Sequence, residues 1–89
     1  MFELGELIRI VPEPEFDFWN NTTFSIDEEK IPILKIHQIS YNNVKKIYRL
    51  AVEDIKKPGY IDYISSPEHL IKRVPAYKDG TPFHKTQKE

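Results

Sequence analysis

The stretch Ile31-Pro32-Ile33-Leu34-Lys35-Ile36-His37-Gln38-Ile39-Ser40-Tyr41-Asn42-Asn43-Val44-Lys45-Lys46-Ile47-Tyr48-Arg49-Leu50-Ala51-Val52 decides the fold. It is rich in β-branched and aromatic residues, the types that suit a pleated surface. Asn42-Asn43 interrupts it, and asparagine tolerates the positive φ of a tight hairpin turn. The spacing predicts two strands, 31–40 and 44–52. In the second, Tyr48, Leu50 and Val52 share one face, and Lys45, Ile47, Arg49 and Ala51 share the other. Pro32 sits near the start of the first, where a missing ladder donor is tolerated.

Working outward, the flanking segments read as further short strands. Residues 6–11 alternate, with Ile8 and Ile10 on one face, until Pro12 and Pro14 stop the ladder. Residues 12–21 read as a long acidic, aromatic loop ending in the turn signal Asn20-Asn21. Residues 22–26 form a second expected strand with Phe24 and Ile26 on one face, and Asp27-Glu28-Glu29-Lys30 a solvated loop. Beyond the hairpin, 53–59 is a loop closing on Pro58-Gly59, and 60–64 is a strand. Ser65 to Leu70 suggests a single helical turn, with serine ahead of proline. Ile71 to Val74 is a short closing strand. Pro, Gly, Lys and Thr dominate from Pro75, so 75–89 reads as a flexible tail. The expected class is all-β: one domain, 1–74, of about five antiparallel strands with a helical turn near 66–70.

The bulk composition restricts the function. Eighty-nine residues make one domain with a thin core. The chain has no cysteine, which removes disulfides, thiolate metal sites and cysteine nucleophiles. A small domain without staples fits the cytoplasm better than an oxidising compartment. Neither an export signal nor a membrane-length apolar run is visible, so no membrane partner is expected. The Asn20 and Asn21 glycosylation patterns are therefore read as turn chemistry. The net charge of −1 conceals a division: residues 1–29 carry eight carboxylates against Arg9, and residues 30–89 carry twelve cations against six carboxylates. The first part is thus −7 and the second +6. The halves either neutralise each other across the fold or present distinct faces to partners.

Several of these segments resemble the SH3-like small-barrel superfamily. Gly5-Glu6-Leu7-Ile8-Arg9-Ile10 looks like the opening strand common in such barrels, and Phe18-Trp19-Asn20-Asn21 like the end of their long first loop. Tyr48-Arg49-Leu50 is similar to the strand before the distal part of the barrel. Pro67-Glu68-His69-Leu70-Ile71 is similar to the single turn leading into the last strand. The resemblance spans residues 4–74 and implies a small antiparallel barrel. It does not imply recognition of proline-rich peptides, because the Ala-Leu-Tyr-Asp-Tyr strand and paired tryptophans of peptide-binding SH3 domains are missing. In size and isolated character the chain resembles a small phage or prophage gene product.

Two surfaces are candidates for function. In Phe16-Asp17-Phe18-Trp19, three aromatics in four loop residues cannot all point inward. Either Phe18 or Trp19 folds back to cap the barrel, or the segment is a protein-binding patch, since aromatics anchor interface hot spots. Lys45, Lys46, Arg49, Lys56, Lys57, Tyr60, Lys72 and Arg73 form the second candidate. Cations with interleaved tyrosines, Tyr41, Tyr63 and Tyr77 among them, can hold RNA or single-stranded DNA. The alternative is a solvated face whose lysines guard sheet edges.

No chemistry-bearing constellation is apparent. His37, His69 and His84 are widely separated, and Asp27-Glu28-Glu29 lacks the alternating spacing of a calcium loop. The three glycines are dispersed, so no phosphate cradle can be built from them. The expectation is a non-catalytic module without cofactor or metal. It would act as a phage-type adaptor or inhibitor on a larger host or cellular protein. Nucleic-acid binding is the alternative, and a homodimer pairing acidic and basic faces is compatible with either.

Overall fold

The computed structural model describes residues 1–24 and 26–75. Among these residues seven strands form: β1 (Leu7–Ile10), β2 (Phe16–Asp17), β3 (Thr22–Thr23), β4 (Leu34–Asn42), β5 (Ile47–Asp54), β6 (Ile61–Pro67) and β7 (Ile71–Arg73). Single 3₁₀ turns occur at Glu28–Lys30 and Glu68–Leu70. Five strands make one antiparallel sheet in the order β6-β5-β4-β1-β7, while β2 and β3 make a separate two-stranded ribbon. The chain is all-β. Edge strands β6 and β7 do not pair with each other among the described residues, so the sheet is open.

The β4–β5 hairpin organises the core. Ile36 is paired with Val52, Ile39 with Leu50 and Tyr41 with Tyr48. Ile36 and Ile39 lie three residues apart, so in an unbroken strand they would point to opposite faces. The register shifts between Ile36 and Gln38, and this irregularity at His37 changes the parity of the strand. Ile36 and Ile39 thereby both pack on one core with Ile8, Leu50, Val52, Ile64 and Ile71. On that same face Tyr41 lies against Tyr48, with ring centroids 4.4 Å apart. The Tyr41 hydroxyl donates to the Glu68 carboxylate, tying β4 to the second 3₁₀ turn. This bond to an anion pushes the Tyr41 phenol up to about 12.

The two ends of the described chain meet on β1. Ile8, fully buried, pairs with Leu34 on one side and Arg73 on the other. The Val11 amide donates to the Leu70 carbonyl, and the Val74 amide to the Leu7 carbonyl, extending the β1–β7 contact at both ends. Arg73 then reaches back to the start of the chain. Its Nε donates to Glu6 Oε2 at 2.5 Å, and its guanidinium also donates to the Met1 carbonyl. The same guanidinium lies 4.5 Å from the centre of the Phe2 ring. Phe2 in turn meets Tyr48 edge-to-face at 5.2 Å, so the N-terminal residues form one wall of the core.

Several boundaries differ from the sequence expectation, each for a local reason. The strand expected over 22–26 does not join the main sheet. Thr22 and Thr23 instead pair with Asp17 and Phe16 inside the expected loop, and the Phe24 amide donates to the Glu15 carbonyl at 2.9 Å. The hairpin turn occupies residues 43–46 rather than Asn42-Asn43 alone. Asn42 is the last strand residue, and its side-chain oxygen accepts the amides of Val44 and Lys45, both at 3.0 Å. Lys46, not asparagine, takes the positive φ of 57°. Ser65, Ser66 and Pro67 continue β6, opposite Arg49, Tyr48 and Ile47, so the helical turn begins only at Glu68. Apart from Pro75, the expected tail 75–89 lies outside the described residues, with Tyr77 and His84.

The parity change gives this hairpin a specific sensitivity. Ile36→Ala is expected to cost about 2–5 kcal/mol of unfolding free energy, the range for truncating a buried isoleucine. Deleting His37 is expected to cost less, because it leaves Ile36 and Ile39 two residues apart and keeps Ile39 and Tyr41 on the core face, opposite Leu50 and Tyr48, in a regular strand. Chemical denaturation of both variants measures the difference.

Candidate protein-binding tip and sheet face

The segment Phe16-Asp17-Phe18-Trp19 forms the first strand and tip of the β2–β3 ribbon. Asp17 braces the tip. Its Oδ1 accepts the amides of Trp19 at 2.9 Å and Asn20 at 3.3 Å, and its Oδ2 accepts the Asn20 side-chain amide at 2.6 Å. These bonds favour the carboxylate and hold Asp17 below its usual range, the Asn20 side chain contributing most. Asn21 adopts φ 53°, so the Asn20-Asn21 turn signal has the backbone chemistry that its residue types suggest.

The aromatics of this tip do not enter the core. Trp19 is 96% exposed and Phe18 84% exposed, so neither caps the sheet. Phe16 is also exposed and meets Phe18 edge-to-face at 4.8 Å. One face of the tip is therefore a fixed aromatic pair, and beside it stands an unsupported indole. At the base of the ribbon, Val11, Pro12, Pro14, Phe24, Ile26 and Leu70 line an apolar groove. Its polar rim includes Glu13 with His69 at 2.6 Å and Glu28 with Lys72 at 4.0 Å.

The proposed basic set is not a single patch. Lys45 and Lys46 sit in the β4–β5 turn, whereas Lys56, Lys57 and Tyr60 follow the other end of β5. Eight extended residues separate these ends, or about 25 Å. Arg49 lies between them on the outer face of β5. Lys72 and Arg73 are on β7, at the opposite edge of the sheet from β6. They are engaged by Glu28 and Glu6. Glu6–Arg73 and Glu28–Lys72 each join the acidic N-terminal part to the basic remainder. Part of the charge division is thus neutralised within the fold, through exposed pairs that individually add little stability.

The remaining ionisable candidates are accounted for by local contacts. Asp27 caps the first 3₁₀ turn by accepting the Glu29 amide at 3.1 Å. His37, at the register shift, lies 2.7 Å from Glu53 Oε1, and the Gly59 amide donates to Glu53 Oε2 at 2.8 Å. The Gly59 amide first, then His37, holds the Glu53 carboxyl below its usual range. No cluster of three or more His, Asp or Glu residues suited to a metal occurs among the described residues. No helix of the described residues is long and apolar enough to cross a membrane.

The sheet also groups residues that spacing alone did not bring together. On the outer face, Arg49 is flanked by Ser40 on β4 and Ser65 on β6, and Ala51 by Gln38 and Tyr63. These six line a recess. The register shift at His37 hides this grouping from simple alternation, because it changes which residues of β4 share a face with Arg49. Comparison with protein-family models, curated proteins and solved structures finds no match.

The Asp17 brace has a pH signature. A carboxylate held below its ordinary value of 3.8 contributes fully above that value and is lost as pH falls through its lower folded value. The amide resonances of Trp19 and Asn20 are therefore expected to titrate together, with a midpoint below 3.8. Asp17→Ala abolishes that titration in an NMR pH series.

Proposed function

We propose that this chain is a non-catalytic protein-binding module with an SH3-like arrangement, an adaptor or inhibitor that occupies a site on a larger protein. The observation that carries the reading is Trp19, 96% exposed at the tip of a braced ribbon. A solvated indole gains a large apolar contact when it enters a partner's pocket. Because Asp17 already fixes the turn, less conformational entropy is lost on binding. Phe16 and Phe18 add a packed aromatic shoulder, and Asp17 with the nearby Glu13 and Glu15 gives the surround an acidic character suited to a basic rim on the partner.

The SH3-like part of the proposal rests on order and connection. The last strand, β7, lies beside the first, and a single 3₁₀ turn leads into it. A long excursion carrying the ribbon separates β1 from β4. In this reading the open five-stranded sheet is the wall of a small barrel, and the aromatic tip belongs to its long first loop.

Trp19 is the chain's one tryptophan, so fluorescence excited selectively at tryptophan rather than at the five tyrosines reports the tip. Partner capture from a lysate, followed by titration with the identified protein, tests the proposal. Binding is expected to shift the emission to the blue. Trp19→Ala and Phe18→Ala are each expected to weaken affinity about tenfold or more, the loss typical of a hot-spot anchor. Neither change should lower the melting temperature appreciably, because neither residue touches the core. Unchanged affinity in both variants overturns the role of the tip.

A further inference from the structure

The recess on the outer sheet face has a composition that structure maintenance does not require. Arg49 is exposed at its centre, and its cross-strand neighbours are Ser40 and Ser65 rather than carboxylates. Among the described residues Arg49 forms no ion pair. The nearest carboxylate along β5 on that face is Glu53, four residues or about 13 Å away and already engaged by His37 and Gly59. Ala51, next to Arg49 on the same face, keeps the floor low between Gln38 and Tyr63. The recess therefore offers hydroxyl, amide and guanidinium donors around one uncompensated positive charge.

Aromatic surface and further cations extend from this recess along the hairpin. Tyr63 is 76% exposed and lies one outer-face step, about 7 Å, from the Arg49 row. Tyr60, 75% exposed, follows toward Lys56 and Lys57, while Lys45 and Lys46 stand beyond Arg49 at the other end. Residues 34–67 carry six Lys/Arg against Glu53, Asp54 and Asp62, leaving +3 in a chain whose overall charge is −1. Cations spaced along a line, with exposed aromatic faces between them, match the alternation of phosphates and bases in an unpaired strand.

We propose that the outer face of β4, β5 and β6 binds single-stranded nucleic acid. Arg49, with Ser40 and Ser65, takes a backbone phosphate, and Tyr63 stacks on an adjacent base. The site excludes Lys72 and Arg73, which lie on β7 in ion pairs, and it is separate from the aromatic tip. An acidic peptide would satisfy Arg49 but would leave the two exposed tyrosines without a role.

Fluorescence anisotropy with labelled oligo-uridine and oligo-thymidine probes tests this on the full chain. Affinity is expected to fall on the order of tenfold as salt rises from about 50 to about 200 mM, through counterion release. Arg49→Ala and Tyr63→Ala should each weaken binding about tenfold, the latter by loss of one stacked base. Lys30→Ala removes an equal charge outside the site and should leave affinity within about twofold. Melting curves confirm that the variants fold. Absence of binding at low salt overturns the proposal, as does equal loss in all three variants. Full competition by a polyglutamate peptide, with no effect of Tyr63→Ala, also overturns it and identifies an acidic polypeptide as the ligand.

Discussion

The register shift at His37 is the constraint on which the rest of the molecule depends. A strand of period two can serve one core only while its apolar residues keep the same parity. In β4 they do not: Ile36 and Ile39 differ in parity, and the irregularity between them restores a single buried face. Because β4 pairs with both β1 and β5, its placement aligns Ile8 with the Tyr48-Leu50-Val52 face. The local shift also places His37 beside Glu53, whose second oxygen holds the Gly59 amide of the following loop. One unpaired residue thus sets the core, the outer face and one loop anchor together.

The surface separates into regions of different chemistry. The ribbon between β1 and β4 carries exposed aromatic residues among carboxylates, while the outer face of the hairpin carries arginine, serine and tyrosine. Between them, ion pairs from the N-terminal segments to β7 consume part of the opposing charge. The formal charge of each half of the sequence is therefore a poor guide to local potential. What remains free is decided by register, as Arg49 among serines illustrates.

Much of this architecture was legible in the residues. The β4–β5 hairpin, the buried row Tyr48, Leu50 and Val52, the short closing strand and the turn before it follow from alternation and turn chemistry. The errors arise where pairing partners decide conformation. Phe24 and Ile26 alternate like strand residues, yet the main sheet does not take them up, and the Phe24 amide only extends the short ribbon by donating to the Glu15 carbonyl. Ser66-Pro67 looks like a helix start, but pairing with Tyr48 and Ile47 keeps it extended. Residue types flagged the aromatic tip, but not whether it packs inward, since that depends on how Asp17 closes the turn. The recess around Arg49 was illegible because its members come from three strands, one of them out of simple phase.

The position of β1 between β4 and β7 has a consequence for how the domain assembles. Ile8 lies in a sheet whose other edge of contact comes more than sixty residues later, at Ile71–Arg73. Pairings so distant in sequence demand loop closure before they return any stabilisation, which slows folding relative to local hairpins. The β4–β5–β6 meander can pair early, as each of its strands follows its neighbour. The burial of Ile8 must wait for β7. During synthesis the N-terminal strand therefore leaves the ribosome long before its final partner exists, and the fold closes only as the last described strand emerges.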